Sequence, residues 1–150
     1  MDKYQKLIQA LYENTEKKWH ILPRELYTNA RSNNYNGSNI LEMYYTTDNN
    51  QTIEDYPDMT DIKIIIVGRY SWDYYFDEDH FEIRDGFFIT LATLRHPYEK
   101  FDPSDVISID DNQIEPIYIG VPIRFLSIEI LFNKAKEDSL DIDSFINDFI

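Results

Sequence analysis

The longest uninterrupted run of β-branched aliphatic residues is Ile64-Ile65-Ile66-Val67, inside the stretch Ile62 to Trp72. Such side chains are stiff at χ1 and fit a pleated surface, so the run predicts a strand. Apolar residues fall on both alternating faces, which places the strand at the centre of a sheet covered on both sides. Gly68, directly after the run, is a position for a bulge or bend. Upstream, Tyr4, Leu7, Ile8, Leu11 and Tyr12 fall at the spacing of one helical face and predict a helix over 3–18, with Asp2 and Gln5 as a capping box. Pro23 is suited to open a second short helix, with Leu26, Tyr27 and Ala30 inward. Ser32 to Ser38 is a cluster of chain breakers.

The remaining pattern is dominated by strands. Ile40 to Thr46 predicts the first, and Asp48 to Thr60, polar and holding Pro57, predicts a loop. Phe81 to Arg84, then Asp85-Gly86, then Phe87 to Leu91 predicts a hairpin, because Asp-Gly supplies the positive φ angles of a type I′ turn. His96 to Ser104 is expected as a loop. Val106 to Ile109 is a short strand ending at Asp110-Asp111-Asn112, and Ile114 to Gly120 is an edge strand because of Pro116. Val121 to Lys136 satisfies two patterns: Leu126, Ile128, Ile130 and Phe132 alternate as in a strand, while Pro122 and the length favour a helix. Ser139 to Phe149 predicts a terminal helix capped by Ser139, with Asp141 and Asp143 in its first turn and a stripe of Ile142, Phe145, Ile146 and Phe149. Helices, then strands, then a helix define a single α+β domain, residues 1–150, around a largely antiparallel sheet.

Composition narrows the chemistry. The chain of 150 residues has no cysteine, which excludes disulfides, thiolate metal sites and cysteine nucleophiles. Lys3, Lys6, Glu13 and Glu16 interrupt the N-terminal segment, so it is not expected to act as a signal peptide, and no stretch has the apolar length of a membrane span. A soluble, cytoplasmic protein with no membrane partner is the expectation. The net charge is −14, divided into +2 over residues 1–35 and −16 over residues 36–150. That field repels phosphate backbones, disfavours nucleic acid as a partner and favours a basic protein.

Twelve Tyr, nine Phe and two Trp are the other compositional feature, and most must fill the core. The pairs Tyr44-Tyr45 and Tyr74-Tyr75 must point to opposite faces of any strand they occupy, so one tyrosine of each pair is expected near solvent. Asp73, Asp77, Glu78, Asp79, Glu82 and Asp85 surround Tyr74, Tyr75 and Phe76. The spacing does not fit an EF-hand loop. Exposed tyrosine among carboxylates suits protein binding instead, and Tyr74, Tyr75, Asp77, Glu78 and Asp79 are the candidate partner-binding residues.

Catalytic patterns are sparse. Pro57-Asp58 followed by Asp61-x-Lys63 resembles the Pro-Asp…Asp/Glu-x-Lys pattern of metal-dependent nucleases, in which two carboxylates hold Mg²⁺ and the lysine polarises water or steadies phosphate charge. Only two residues separate Asp58 from Asp61, so Glu42 or Asp55 would have to supply the distant ligand. Tyr118-Ile119-Gly120 echoes half of a GIY-YIG motif whose other half is absent. His20, His80 and His96 form no metal-spaced pair, and no phosphate loop or nucleophile elbow is present. No catalytic residue, metal or cofactor is expected, which favours a non-enzyme.

Leu22-Pro23-Arg24-Glu25-Leu26 is a Leu-Pro-x-acid step, and Asn36-Gly37 a tight loop. Ile64 to Gly68 followed by Asp73-Tyr74-Tyr75-Phe76 is a strand, a turn and an Asp-aromatic strand, and Ile142-Asp143-Ser144-Phe145-Ile146 is an apolar closing helix. In this order the segments resemble the SUKH superfamily, many of whose bacterial members are immunity proteins against polymorphic toxins. Leu26 stands where that pattern has Tyr, Ile142 where it has Phe, and Arg69 to Trp72 where it has further glycines. Residues 110–137 lie outside the pattern. The resemblance implies a protein that neutralises a toxin by covering its basic active site. A metal-dependent nuclease and an acidic mimic of nucleic acid that inhibits a DNA-binding protein are the alternatives.

Overall fold

The computed structural model describes residues 3–22, 31–32, 38–95, 107–110, 117–119 and 124–150. Its main sheet is antiparallel and built from β1 (His20–Ile21), β2 (Arg31–Ser32), β3 (Ser38–Thr47), β4 (Asp61–Tyr75), β5 (Phe81–Arg95) and β6 (Ile107–Asp110). The spatial order is β1-β3-β4-β5-β6, with β2 also paired to β3. A separate antiparallel ladder joins β7 (Ile117–Ile119) to β8 (Arg124–Leu126). The helices are α1 (Lys3–Glu13), α2 (Ile128–Leu140) and α3 (Ile142–Asn147), giving an α+β domain.

The aliphatic run lies in β4, between β3 and β5, and is covered on both faces. Ile62, Ile64 and Ile66 join Met43, Tyr45, Phe88, Ala92 and Leu94 on one face, closed over by Leu22, Ile53 and Tyr56. Val67 and Ile89 join Tyr44 on the other, against Ile8 and Leu11 of α1 and Ile128, Leu131, Phe132 and Ala135 of α2. The four α2 residues recur at the spacing of one helical face. Phe132 meets the rings of Tyr44 and Phe87 at centroid distances of 5.4 and 5.2 Å. Each fully buried aliphatic or aromatic side chain contributes roughly 1.5–3 kcal/mol, so these two layers hold the domain together.

Two glycines explain where the expected hairpin went. The β4–β5 ladder runs from Asp61 opposite Arg95 to Tyr75 opposite Phe81 without a register shift. Asp85-Gly86 therefore lies inside β5, not at the expected type I′ turn, and the chain reverses at residues 76–80. Gly86 stands opposite Tyr70, and a Cβ there would come within 2.4 Å of the tyrosine ring. Gly68 stands opposite Phe88, whose ring a Cβ would meet at 2.2 Å. Each glycine thus lies under the aromatic ring of its cross-strand partner, and a side chain at either position would displace that ring. Gly68 makes no bulge in this ladder; the irregularity is in β3, between Ile40 and Glu42.

The helix boundaries also moved. α1 stops at Glu13 because the Asn14 side chain accepts the backbone N–H of Glu16 at 3.1 Å, an alternative to continuing the helix. The Lys134 ammonium donates to the carbonyls of Leu11, Tyr12 and Asn14, which the helix end leaves without helical partners. Over 121–136 both patterns hold in turn: Arg124–Leu126 is strand, and α2 begins at Ile128, where the Ser127 hydroxyl accepts the Ile130 N–H at 3.5 Å. Ser139 caps nothing, since it lies inside α2 with its hydroxyl donating to the Lys136 carbonyl. Asp141, at φ 49°, breaks the chain between α2 and the six-residue α3. Asp2, the helix expected after Pro23, the breakers at 33–37, the loop from His96 to Ser104, Pro116, and the turn at Asp111-Asn112 lie outside the described residues. Among the described residues, no helix is long and apolar enough to cross a membrane.

Candidate partner-docking ribbon

Strand lengths create the candidate site. β3 pairs with β4 only as far as Ser71, and β6 pairs with β5 only from Phe88 to Leu91. Beyond those limits β4 and β5 pair with each other alone among the described residues, from Trp72 opposite Arg84 to Tyr75 opposite Phe81. These four residue pairs and the turn form a two-stranded ribbon whose paired part spans roughly 13 Å.

The turn is held by polar contacts. The Phe76 N–H donates to the His80 carbonyl at 2.9 Å. The Asp77 carboxylate accepts the backbone N–H groups of Asp79 and His80 at 2.9 and 3.0 Å, and His80 Nδ1 lies 2.9 Å from it. The Asp79 N–H, and then the His80 side chain, hold the Asp77 carboxyl below its ordinary range. Glu78 and Asp79 extend their carboxylates into solvent beside it.

Strand alternation gives the ribbon two unlike faces. On one, the Arg84 guanidinium lies 3.5 Å over the Tyr74 ring and its Nε donates to Glu82 at 2.6 Å. Phe76 closes on Tyr74 edge-on, with centroids 5.6 Å apart. On the other, Tyr75 and Phe81 pair across the strands at 5.3 Å, with Asp73 and Ile83 as the next cross-strand pair. Tyr75, Phe81 and Ile83 are 58%, 52% and 70% exposed. A cluster of apolar side chains this open, rimmed by carboxylates, is unusual on a free surface.

At the root, Arg69 donates to Glu42 at 2.8 Å and to Asp85 at 3.2 Å. Lys136 of α2 lies 3.1 Å from Glu42, and the Tyr44 hydroxyl donates to Glu42 at 2.7 Å. Burial opposes ionisation of Glu42, but the donors Tyr44, Lys136 and Arg69 outweigh it and hold the carboxyl below its ordinary range. Burial, and then the adjoining Glu42, push the Tyr44 hydroxyl well above the usual tyrosine range. The network ties the ribbon's root to β3 and α2.

All five candidate binding residues lie on this ribbon. The structure divides them: Tyr74 carries Arg84 on one face, Tyr75 is open on the other, and Asp77, Glu78 and Asp79 mark the turn. Phe81 and Ile83 were missed because a turn at Asp85-Gly86 assigns them to a different hairpin. Their alternation with Glu82 and Arg84 was the available signal. The other tyrosine pair behaves differently from expectation: Tyr44 and Tyr45 are both buried, one in each layer. The Tyr45 hydroxyl accepts the Ile53 N–H at 3.0 Å, and burial pushes its pKa to about 12.

Asp58, Asp61 and Lys63 are exposed at the entrance to β4, with Asp61 opposite Arg95. Glu42 stands opposite Arg69, eight residues along β4 from Asp61 and roughly 27 Å away along the strand. Asp55 accepts the Thr52 hydroxyl at 2.9 Å. Among the described residues, no three His, Asp or Glu side chains are grouped to hold a metal ion. A second exposed apolar surface is the stripe of Ile142, Phe145, Ile146 and Phe149, in which the two phenylalanine rings lie 5.3 Å apart.

No protein-family model matches the chain, and neither the curated proteins nor the solved structures yield a match. Of the segments carrying the SUKH resemblance, Ile64 to Gly68 is the sheet's centre, Asp73 to Phe76 enters the ribbon, and Ile142 to Ile146 lies in α3. Leu22 is buried, and Pro23 to Leu26 and Asn36-Gly37 lie outside the described residues.

Proposed function

We propose that the chain is a non-enzymatic protein-binding module that docks a basic protein through the β4–β5 ribbon. Its most concrete form is a bacterial, cytoplasmic immunity protein that neutralises a toxin by covering its basic active site. The observation that carries this reading is the open Tyr75–Phe81 pair with Ile83, on a ribbon bearing five carboxylates, those of Asp73, Asp77, Glu78, Asp79 and Glu82. Aromatic anchors supply affinity when they lose water, and a single-sign field raises the association rate of an opposite partner.

The test starts from capture with the full chain as bait, identification of the recovered protein, and association kinetics with that protein purified. The expected partner is basic, and its association slows markedly between 0.05 and 0.5 M salt. Association that does not respond to salt, or capture of acidic proteins alone, contradicts the reading. So does Mg²⁺- or Mn²⁺-dependent degradation of nucleic acid by the purified chain.

A further inference from the structure

The two ribbon faces differ in one respect that defines the group the open face takes. On the Tyr74 face the molecule supplies its own cation: the Arg84 guanidinium lies 3.5 Å over the tyrosine ring while Glu82 takes its Nε–H. That arrangement combines a π face with a carboxylate on the neighbouring strand, and it suits a planar cation. The Tyr75 face presents the same parts without the cation. Tyr75 and Phe81 offer two rings tilted at 39°, and Asp73 lies two residues from Tyr75 on the same side of β4. Asp73 has no hydrogen-bonding or ionic partner among the described residues. Asp85, the other carboxylate of that face, is engaged by Arg69.

Resting on the proposed docking role, we infer that the Tyr75–Phe81–Asp73 face is a receptor for an arginine side chain of the basic partner. The guanidinium stacks on the exposed rings and pairs with Asp73, and the methylene stem lies along Ile83. Arginine is favoured over lysine because its flat, weakly hydrated head stacks on aromatic rings, whereas an ammonium is a compact and strongly hydrated charge. The opposite face is filled by Arg84 and contributes rigidity to the ribbon. The carboxylates at the turn attract either cation equally and confer no such preference.

Nona-arginine and nona-lysine peptides serve as probes, titrated into the isotope-labelled full chain and followed by NMR of the backbone and aromatic rings. Nona-arginine is expected to shift Tyr75, Phe81 and Ile83 most and to bind at least fivefold more tightly than nona-lysine. The pair Tyr75→Ala with Phe81→Ala should weaken nona-arginine at least tenfold, and Asp73→Asn at least threefold. Phe145→Ala, on the separate exposed stripe of α3, should change it less than twofold. Unchanged circular dichroism and melting temperature confirm that each variant is folded. Equal affinity for the two peptides, or affinity for nona-arginine unchanged by the Tyr75→Ala, Phe81→Ala pair, overturns the arginine receptor while leaving the ribbon as the docking element. Shifts confined to residues outside 72–84 overturn both.

Discussion

The same two strands do opposite things at their two ends. Along the first part of the hairpin, Ile62, Ile64, Ile66 and Val67 on β4 and Phe88, Ile89, Ala92 and Leu94 on β5 are buried on one face or the other. Beyond Trp72 opposite Arg84, the same ladder continues without a register break, yet Tyr74, Tyr75, Phe76, Phe81 and Ile83 are exposed. Large apolar side chains occur in both halves, mainly aliphatic in the first and aromatic with Ile83 in the second. What differs is the company: β3, β6, α1 and α2 flank and cover the first half, and among the described residues none of them pairs with the second. An isolated two-stranded hairpin is marginal in water. The outer half is held by continuity with the sheet, by the Asp77-centred turn and by the Glu42–Arg69–Asp85 clamp at its root. Apolar surface left open on such an element is available for a partner.

This contrast can be broken at graded positions. The largest effect is expected at Ile66, which is fully buried: Ile66→Ala should cost about 2–5 kcal/mol in urea unfolding. Gly68→Ala places a Cβ where the Phe88 ring lies and should cost about 1–3 kcal/mol by the same measurement. Gly86→Ala should cost less, because Gly86 is half-buried whereas Gly68 is buried, which leaves the Tyr70 ring more room to give than the Phe88 ring. Smaller again is Glu42→Gln, about 1 kcal/mol at pH 7, given the partial exposure of its charged partners. Glu42 has a depressed carboxyl pKa in the folded state, so its ionic contribution is complete above the unfolded value near 4.5 and is lost as pH falls through the folded value. The wild type should therefore lose stability between pH 5 and pH 3 more steeply than Glu42→Gln. At the outer end, Ile83→Ser should change stability by no more than about 0.5 kcal/mol. A large loss there would mean that the ribbon is part of the core.

How much of this was legible follows from which interactions are local. The β4 run and the inner face of α1 are local patterns, and both formed where their spacing placed them. The hairpin failed because Asp85-Gly86 carries a strong local turn signal, while the actual use of Gly86 depends on Tyr70, sixteen positions away and reached only through pairing. A quieter signal was present: Gly68-x-Tyr70 and Gly86-x-Phe88 share a spacing, and antiparallel pairing sets each glycine under the other strand's ring. The candidate site was half visible for the same reason. Tyr74, Tyr75 and the acidic turn stood out by composition, whereas Phe81 and Ile83 joined them only once the register was known. Tyr44 and Tyr45 were misjudged because burial on both faces of β3 depends on α2 and on the segment holding Ile53, both distant in sequence.

The most direct measurement shortens the outer half alone, replacing residues 73–83 by Asn-Gly so that Trp72 and Arg84 close a two-residue turn. Thermal unfolding and binding of the captured basic partner are then read side by side. The expected result is a melting temperature within a few degrees of the wild type and partner affinity reduced at least a hundredfold. Retained affinity in the folded, shortened protein would contradict the assignment of the ribbon as the docking element.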